Sequence, residues 1–275
     1  MIKGISYWAF PAGTSCKEAI KLAKENSFES IELAFAPEDE LGLKTTKEFC
    51  EDLKAYADQI GIKISSMATG MYWGIPLTDP DNSKTAIENT KKYLEVASWL
   101  GIDAVLVIPG CVDAFDPDFK IVEYETCWNK ATEAIKELIP YAEKYGVCMC
   151  LENVWNKFLL SPVEMKCFID QFNSPFVASY FDVGNVLLYG YPDHWIKCLG
   201  KRIKRVHFKD FKKSIGTLDG FVDLMEGDVC WPKVLDAFKE IGYEGFATAE
   251  MFPYAGAPML QVINTSSAMD TILKK

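Results

Sequence analysis

The sequence predicts an α/β protein built as a closed (β/α)8 barrel of the TIM type, and three observations lead to this prediction. Short apolar runs of strand length alternate with longer amphipathic stretches, and the alternation occurs eight times in 275 residues. The amphipathic stretches are long enough to cross over a sheet as helices, which requires parallel strands. No Gly-x-Gly-x-x-Gly fingerprint follows the first run, so the main alternative, an open doubly wound sheet, is less favoured.

The predicted elements follow from these runs in order. The strands are Gly4–Phe10, Ser30–Phe35, Lys63–Thr69, Ala104–Gly110, Val147–Asn153, Phe176–Val183, Ile203–Asp210 and Gly245–Met251. The helices are Ser15–Asn26, Thr45–Ile60, Ser83–Leu100, Glu123–Tyr145, Ser161–Phe172, Tyr191–Leu199, Trp231–Ile241 and Pro258–Leu273. Glycines after four of the helices are expected to end them, namely Gly61, Gly101, Gly146 and Gly242. Hydroxyl residues before four helices are expected to cap them, namely Thr14 or Ser15, Thr45, Ser83 and Ser161.

Composition excludes several classes of protein. Apolar residues make up 49% of the chain and charged residues 25%, which indicates a folded core rather than disorder. No run approaches the roughly eighteen apolar residues of a membrane span, and the first residues do not resemble a secretory signal, so we expect a cytoplasmic protein without a membrane partner. A net charge of −10 disfavours nucleic acid as a partner. No linker-like segment divides the chain, and we expect one domain over residues 1–275.

Polar side chains end four successive predicted strands, the fifth to the eighth. They are Glu152, Asp182, His207 and Glu250. In a βα barrel the carboxyl ends of the strands build the active site, so these groups are expected to converge. Three carboxylates aimed at one point repel one another unless a cation lies between them. The pattern therefore predicts a divalent metal site, with Mn²⁺ as the first choice and Mg²⁺, Co²⁺ or Zn²⁺ as alternatives.

Each of these residues also has an ordinary structural interpretation when it is taken alone. Asp182 is compatible with an Asx turn, and a histidine in a strand such as His207 is commonly a hydrogen-bonded core residue. The same holds for two further residues outside the set. We expect Glu32, in the second strand, to be solvated or to cap a helix, and His194 to lie at the surface or to cap one. It is the combination on four neighbouring strands that indicates a metal site.

Four segments resemble a known family. Leu151–Asn156, Tyr180–Asn185, Val206–Asp210 and Ala249–Met251 resemble the sugar phosphate isomerase/epimerase family of xylose isomerase-like TIM barrels. Within it, the chain is most similar to the ketose 3-epimerases, the D-tagatose 3-epimerase and L-ribulose-5-phosphate (L-xylulose-5-phosphate) 3-epimerase branch, over nearly its whole length. The resemblance implies that the four strand-end residues are the metal ligands and that the two glutamates are also the acid/base pair.

The chain departs from part of that pattern. Some free-ketose epimerases of the family carry Glu, His and Arg where this chain has Phe158, Asn185 and Lys213. The set of residues that contacts substrate is therefore changed, and the Asp-Val-Gly-Asn version of the sixth-strand motif resembles the sugar-phosphate members more closely.

The expected function is a metal-dependent epimerase or isomerase of a ketose or ketose phosphate. It would remove a proton next to the carbonyl and pass through an enediolate, with 3-epimerisation favoured. An aldose–ketose isomerase, a metal-dependent dehydratase of cyclic polyols and a non-catalytic sugar-binding barrel stay open as alternatives. The endonuclease-like branch of the fold is disfavoured because it uses many histidines and this chain has two.

Residues that contact the substrate are expected at the same end of the barrel. The candidates are Asn185, Lys209, Trp155, Trp8 and Trp73. A substrate phosphate would lie near the loops after the seventh and eighth strands, where Lys212 and Lys213 accompany Lys209. The expected partners are a small-molecule sugar or sugar phosphate and, in the case of assembly into a homo-oligomer, further copies of the chain.

Overall fold

Eight parallel strands close into a barrel in the structure, a computed structural model that describes all residues from 1 to 275. The strands follow one another around the barrel in chain order, and the last pairs with the first. The predicted (β/α)8 fold is therefore confirmed. The barrel strands are β1 (Ile2–Ser6), β2 (Ser30–Phe35), β3 (Lys63–Thr69), β4 (Ala104–Val107), β5 (Cys148–Glu152), β6 (Val177–Asp182), β7 (Ile203–Phe208) and β10 (Phe246–Ala249).

Helices occupy the connections, and each predicted helix is found to within two residues at either end. They are α1 (Cys16–Glu25), α2 (Lys47–Ile60), α3 (Met71–Gly74), α4 (Ser83–Trp99), α5 (Tyr124–Tyr145), α6 (Pro162–Asp170), α7 (Pro192–Leu199), α8 (Trp231–Ile241) and α9 (Pro258–Leu273). The short helix α3 was not predicted. Neither was a small antiparallel sheet formed by β8 (Asp210–Phe211) and β9 (Phe221–Val222). No helix has the length and apolar character that crossing a lipid bilayer requires.

The first and fourth strands and two helix starts differ from the prediction, and β4 ends at Val107 rather than Gly110. β1 ends at Ser6, and the next three residues form a 3-10 turn that contains Trp8. The cap of α2 is Thr46 rather than Thr45, because the Thr45 hydroxyl already bonds within the preceding loop, accepting from Gly42 N at 2.7 Å. The residue before α4 is Asn82, so Ser83 is its first helical residue.

Other helix boundaries agree with the sequence signals. The Ser15 and Ser161 side chains accept from backbone amides of the first turns of α1 and α6. Gly61, Gly146 and Gly242 end their helices with φ of 75°, 68° and 72°, in the left-handed region that favours glycine.

Two buried cationic side chains, Lys3 and Arg205, link elements at the amino end of the barrel. Lys3 Nζ lies 2.7 Å from Asp270 Oδ1, which ties β1 to α9. Arg205 of β7 donates to the Ser65 carbonyl of β3 at 3.0 Å and pairs with Asp103. These contacts hold the end opposite to the strand termini that carry the candidate site, as expected for the stability face of this fold.

Candidate active site

Glu152, Asp182, His207 and Glu250 meet at the carboxyl end of the barrel. Glu152 and Asp182 are the last residues of β5 and β6, His207 is next to last in β7, and Glu250 directly follows β10. All four are buried, and one ligand atom from each lies within 4.8 Å of the other three. Four ligands on one small divalent ion span at most about 4.4 Å when each bond is about 2.2 Å. The arrangement is therefore close to the size of a metal site.

The oxygen atoms at this point fit a cation. Asp182 Oδ2 and Glu250 Oε2 are buried and make no hydrogen bond of regular geometry, although both lie within ion-pair distance of Lys209. Three buried carboxylates at one point carry more negative charge than one lysine and one imidazole offset, so the cluster fits a further cation. His207 Nδ1 faces the same point, 2.7 Å from Glu250 Oε2 and 3.4 Å from Glu152 Oε1. Three carboxylates and one imidazole are a donor set that suits a divalent ion.

Lys209 places an ammonium group beside these oxygens. Its Nζ lies 2.9 Å from Glu250 Oε2 and 3.3 Å from Asp182 Oδ2. The lysine side chain passes directly over Gly184, where an added Cβ would lie 2.6 Å from the Lys209 Cβ. The glycine of the Asp-Val-Gly-Asn motif is therefore needed to let Lys209 reach the site.

The two glutamates differ in their affinity for a proton. Burial raises the pKa of Glu152 to about 7, although a hydrogen bond to His207 opposes the shift. Burial also disfavours the charged form of Glu250, but the neighbouring positive charges of Lys209 and His207 outweigh it and lower its pKa to about 2. In the chain by itself, Glu152 is thus the carboxyl group that more readily holds a proton.

Two asparagines hold Asp182 in place. The Asn153 side chain bridges β5 and β6, accepting from Asp182 N at 2.9 Å and donating to Asp182 O at 2.8 Å. Asn185 N donates to Asp182 Oδ1 at 2.8 Å, and Asn185 Nδ2 donates to Asn153 O at 2.9 Å. Asp182 therefore uses one oxygen in a local turn and keeps the other for the site, so the two interpretations of this residue are compatible.

Glu32 does not lie where the sequence analysis expected it. It is completely buried inside the barrel, neither solvated nor capping a helix. Its carboxylate accepts from His207 Nε2 at 2.8 Å, from Ser66 Oγ at 2.9 Å and from the Tyr180 hydroxyl. Its position in the middle of β2, rather than at the end, was the signal that sequence reasoning missed. His194 is exposed on α7, as expected.

A cavity of about 400 Å³ opens above the four strand-end residues. All five predicted substrate contacts line it, and 13 of its 20 lining residues are hydrophobic. The predicted contacts are Asn185, Lys209, Trp155, Trp8 and Trp73. Further aromatic rings in the wall were not predicted, and they belong to Phe115, Phe221, Phe252 and Tyr254. Such a mostly apolar, concave lining with few polar groups is typical of a small-molecule site.

Lys212, Lys213 and Phe158 lie outside this cavity. Lys213 is exposed, and its backbone amide donates to Asp228 Oδ2 at 2.8 Å. The sequence leaves Lys212 and Lys213 equally open to phosphate contact and to surface solvation, and their position outside the cavity favours solvation. Phe158, which stands where some relatives have Glu, is buried in an aromatic cluster with its ring 5.7 Å from that of Phe168.

Asp210 organises the loop that covers part of the cavity. Its carboxylate accepts from the backbone amides of Phe211 and Met225, both at 2.9 Å, and from Trp231 Nε1 at 3.1 Å. These bonds anchor the β8–β9 sheet, which brings Phe221 to the cavity wall. Sequence analysis had found no role for this carboxylate, because no spacing along the chain connects it to Met225 and Trp231, which follow 15 and 21 residues later.

Comparison with known proteins agrees with the barrel fold. A model of the xylose isomerase-like TIM barrel family matches residues 20–269. The chain is 25% identical over 254 residues to the L-ribulose-5-phosphate 3-epimerase UlaE of Escherichia coli O1:K1 / APEC, covering 90% of this chain and 86% of that protein.

Solved structures show the same fold at low sequence identity. D-psicose 3-epimerase from Clostridium cellulolyticum H10, solved with D-tagatose, matches with a TM-score of 0.82 at 20% identity, covering 100% of this chain and 99% of that one. The IolI protein, solved with a bound zinc atom, matches with a TM-score of 0.78 at 18% identity, covering 100% and 98%. With the family model matching from the first helix to the last, the chain belongs to the xylose isomerase-like TIM barrel family.

Proposed function

We propose that the protein is a divalent metal-dependent sugar epimerase that inverts carbon 3 of a ketose. The observation that carries the proposal is the placement of two buried glutamates, Glu152 and Glu250, on strands β5 and β10, with Asp182 and His207 on the strands between them. The proteins similar to this chain include two that are named as 3-epimerases, of L-ribulose 5-phosphate and of D-psicose. Both likenesses support the reaction class.

The metal would be held by Glu152, Asp182, His207 and Glu250. A divalent ion bound there supplies Lewis acidity that makes the proton next to a substrate carbonyl easier to remove. Mn²⁺ is the proposed ion, because three carboxylates with one imidazole suit it, and Mg²⁺, Co²⁺ and Zn²⁺ are the alternatives. The zinc atom in the IolI structure shows that a protein of this fold can hold a divalent ion.

Inversion at carbon 3 needs one group to remove a proton from one face and another to return a proton to the opposite face. Glu152 and Glu250 belong to strands that are not neighbours, so their carboxyl groups reach the site from different sides. One accepts the substrate proton, an enediolate forms, and the other donates a proton to the opposite face.

Lys209 has the position to stabilise the negative charge that develops on the substrate. Its side chain lines the cavity and is 14% exposed. A fixed cation in a largely water-excluded site stabilises an enediolate oxygen more strongly than it would in water. The aromatic walls, which include Trp8 and Trp155, would enclose the sugar and keep water from the reacting carbon.

The charge of the cavity favours an unphosphorylated substrate. Its lining contains four carboxylates, those of Glu152, Asp210, Asp223 and Glu250, and one ammonium group, that of Lys209. Lys209 is already paired with two of the candidate metal ligands, so no cation in the lining is free to neutralise a phosphate. We therefore propose a free ketose as the preferred substrate. The relative UlaE is named for a phosphorylated substrate, so activity on a free ketose and on its phosphate should be compared directly.

Turnover in D₂O tests the proposed reaction. Deuterium at carbon 3 of recovered ketose, together with formation of the 3-epimer, is the expected result. Deuterium at carbon 1 or 2 with aldose formation would instead assign the protein as an aldose–ketose isomerase. Release of water with an absorbing enone would assign it as a dehydratase. Absence of exchange in free ketoses and in ketose phosphates, with the metal bound, would leave the sugar-binding alternative.

Three further expectations are unaffected by this proposal. The single-domain organisation over residues 1–275, the cytoplasmic location and the assembly state stay predictions from the sequence.

A further inference from the structure

The buried carboxylate of Glu32 contacts the side of His207 that faces away from the candidate metal site. The Glu32 Oε1 atom lies 2.8 Å from His207 Nε2. On the other side of the ring, Nδ1 points toward Glu250, Glu152 and Asp182, at 2.7, 3.4 and 3.9 Å. The imidazole is thus held between one carboxylate on its Nε2 side and three on its Nδ1 side.

The contact crosses the interior of the barrel. Glu32 is on β2 and His207 is on β7, and two strands, β1 and β10, separate them in the closed sheet. Backbone pairing therefore does not bring the two side chains together. Each must point inward from its own strand, and both are completely buried. A polar contact that spans a packed barrel interior fixes the ring far more tightly than its strand alone could.

Glu32 is itself fixed by other side chains. Its second oxygen, Oε2, accepts from Ser66 Oγ at 2.9 Å and from the Tyr180 hydroxyl. Ser66 is the register partner of Glu32 on β3, and Tyr180 comes from β6. The Tyr180 ring also packs against the His207 ring, with centroids 4.4 Å apart. Both oxygens of the carboxylate are therefore occupied, and its position has little freedom.

We infer that Glu32 is a positioning residue that keeps the proton of His207 on Nε2 and so presents Nδ1, with its lone pair, to the metal. A histidine that binds a metal through one ring nitrogen commonly donates its other N–H to a carboxylate, which sets the tautomer, orients the ring and raises its basicity as a ligand. Glu32 provides that acceptor here. The inference rests on the metal site of the proposed function and adds a residue that does not touch the metal or the substrate.

Metal affinity of variants tests the role. Calorimetric titration of the metal-free protein with Zn²⁺ is compared for the wild type, Glu32→Gln and Ser179→Ala. Glu32→Gln keeps the shape of the side chain but removes its charge, and we expect the Kd for Zn²⁺ to rise about 10- to 100-fold. Ser179 is the matched control, because it is buried on β6 beside Tyr180 and its hydroxyl has no hydrogen-bond partner. Ser179→Ala is expected to leave the Kd unchanged.

Nuclear magnetic resonance gives a second readout, which reports directly which ring nitrogen of His207 carries the proton. The chain has two histidines, and His194 is exposed. In a protein labelled with ¹⁵N-histidine, the substitution His194→Gln removes the signals of one ring and so assigns the remaining signals to His207. In the Zn²⁺-loaded protein we expect a proton on Nε2, with a strongly downfield N–H resonance, and none on Nδ1. In Glu32→Gln that resonance should move upfield, because a neutral amide is a weaker acceptor.

The outcomes separate this inference from the proposed function. A wild-type protein that binds no divalent ion removes the metal site and the inference with it. A wild-type protein that binds Zn²⁺ through Nε2 of His207, with the proton on Nδ1, overturns the role of Glu32 alone. A Kd for Zn²⁺ in Glu32→Gln equal to that of the wild type also overturns it. An equal loss of affinity in Ser179→Ala and Glu32→Gln overturns it too, because any change in the barrel interior would then weaken metal binding.

Discussion

The Lys209 ammonium group lies 2.9 Å from Glu250 Oε2 and 3.3 Å from Asp182 Oδ2, two buried carboxylate oxygens of the candidate metal site. Lys209 therefore offsets part of the negative charge that a metal ion would neutralise. Under the proposed function, the two positive charges would repel each other when the ion binds, and both would stabilise an anionic intermediate.

Removing the Lys209 charge should separate these two effects. In Lys209→Met we expect divalent ions to bind more tightly, by roughly tenfold or more, because a cation next to the ion has been removed. We also expect kcat to fall by about 10²-fold, because a charge that stabilises the enediolate is lost. Metal titration and steady-state kinetics check both. Lys204→Met is the control, since Lys204 lies on β7, the strand that Lys209 directly follows, but pairs with Asp103 at the opposite end of the barrel. Unchanged metal affinity and unchanged kcat in Lys209→Met would contradict this role.

Replacing either glutamate should abolish most epimerisation but leave proton exchange with a different epimer in each variant. In Glu152→Gln and in Glu250→Gln at saturating metal, epimerisation should fall by about 10²- to 10⁴-fold, the usual contribution of acid–base catalysis. Each variant keeps one intact carboxylate, so each should still exchange the carbon 3 proton of one epimer with D₂O, and the two variants should differ in which epimer that is. Proton spectra of recovered substrate measure this.

Glu244→Gln is the matched control for both glutamate variants, because Glu244 is exposed and precedes β10 at the amino end of the barrel. Epimerisation at the wild-type rate in either Glu152→Gln or Glu250→Gln would show that the assigned acid–base pair is wrong.

Removal of the metal should destabilise the fold reversibly. At a metal concentration 100 times its Kd, binding contributes about 2.7 kcal/mol to the free energy of unfolding. For a chain of this length that corresponds to a rise in Tm of roughly 5 °C, which a chelator should reverse. Asp182→Asn should show a much smaller metal-dependent shift, because a ligand charge is lost. A wild-type Tm that is the same with chelator and with excess Mn²⁺ speaks against a built metal site.

A free ketose should be a better substrate than its phosphate. Asp223 lines the cavity and adds to its negative charge, while its carboxylate accepts from the Tyr254 hydroxyl, a bond that an amide can keep. In Asp223→Asn we therefore expect kcat/KM for the phosphorylated ketose to rise several-fold and that for the free ketose to change little. A wild-type enzyme that prefers the phosphate would contradict the substrate proposal but leave the reaction intact.

Much of the barrel was predictable because its signals are local. Apolar runs mark the strands, and all four glycines predicted to end helices have left-handed φ; Gly101 follows the cap residue of α4 and the other three are cap residues themselves. The four strand-end residues could be grouped from sequence alone, because parallel strands in a barrel bring their carboxyl ends together. Their convergence needed no knowledge of side-chain rotamers.

The residues that sequence reasoning missed depend on contacts across the fold. Glu32 meets His207 through the barrel interior, and no spacing along the chain connects residues on β2 and β7. Asp210 gathers backbone amides from a loop without a regular pattern. The sequence could not decide whether Lys212 and Lys213 contact a substrate or only solvent, because that depends on the turn between β8 and β9, which places them outside the cavity.

The most direct measurement is a crystal structure of the protein grown with Mn²⁺, with anomalous diffraction data collected to locate the ion. We expect one anomalous peak bonded to Glu152, Asp182, Glu250 and Nδ1 of His207, at the mouth of the barrel below the aromatic cavity. A fully active crystal preparation with no peak among these four side chains, or with the ion held elsewhere, would contradict the proposed metal site.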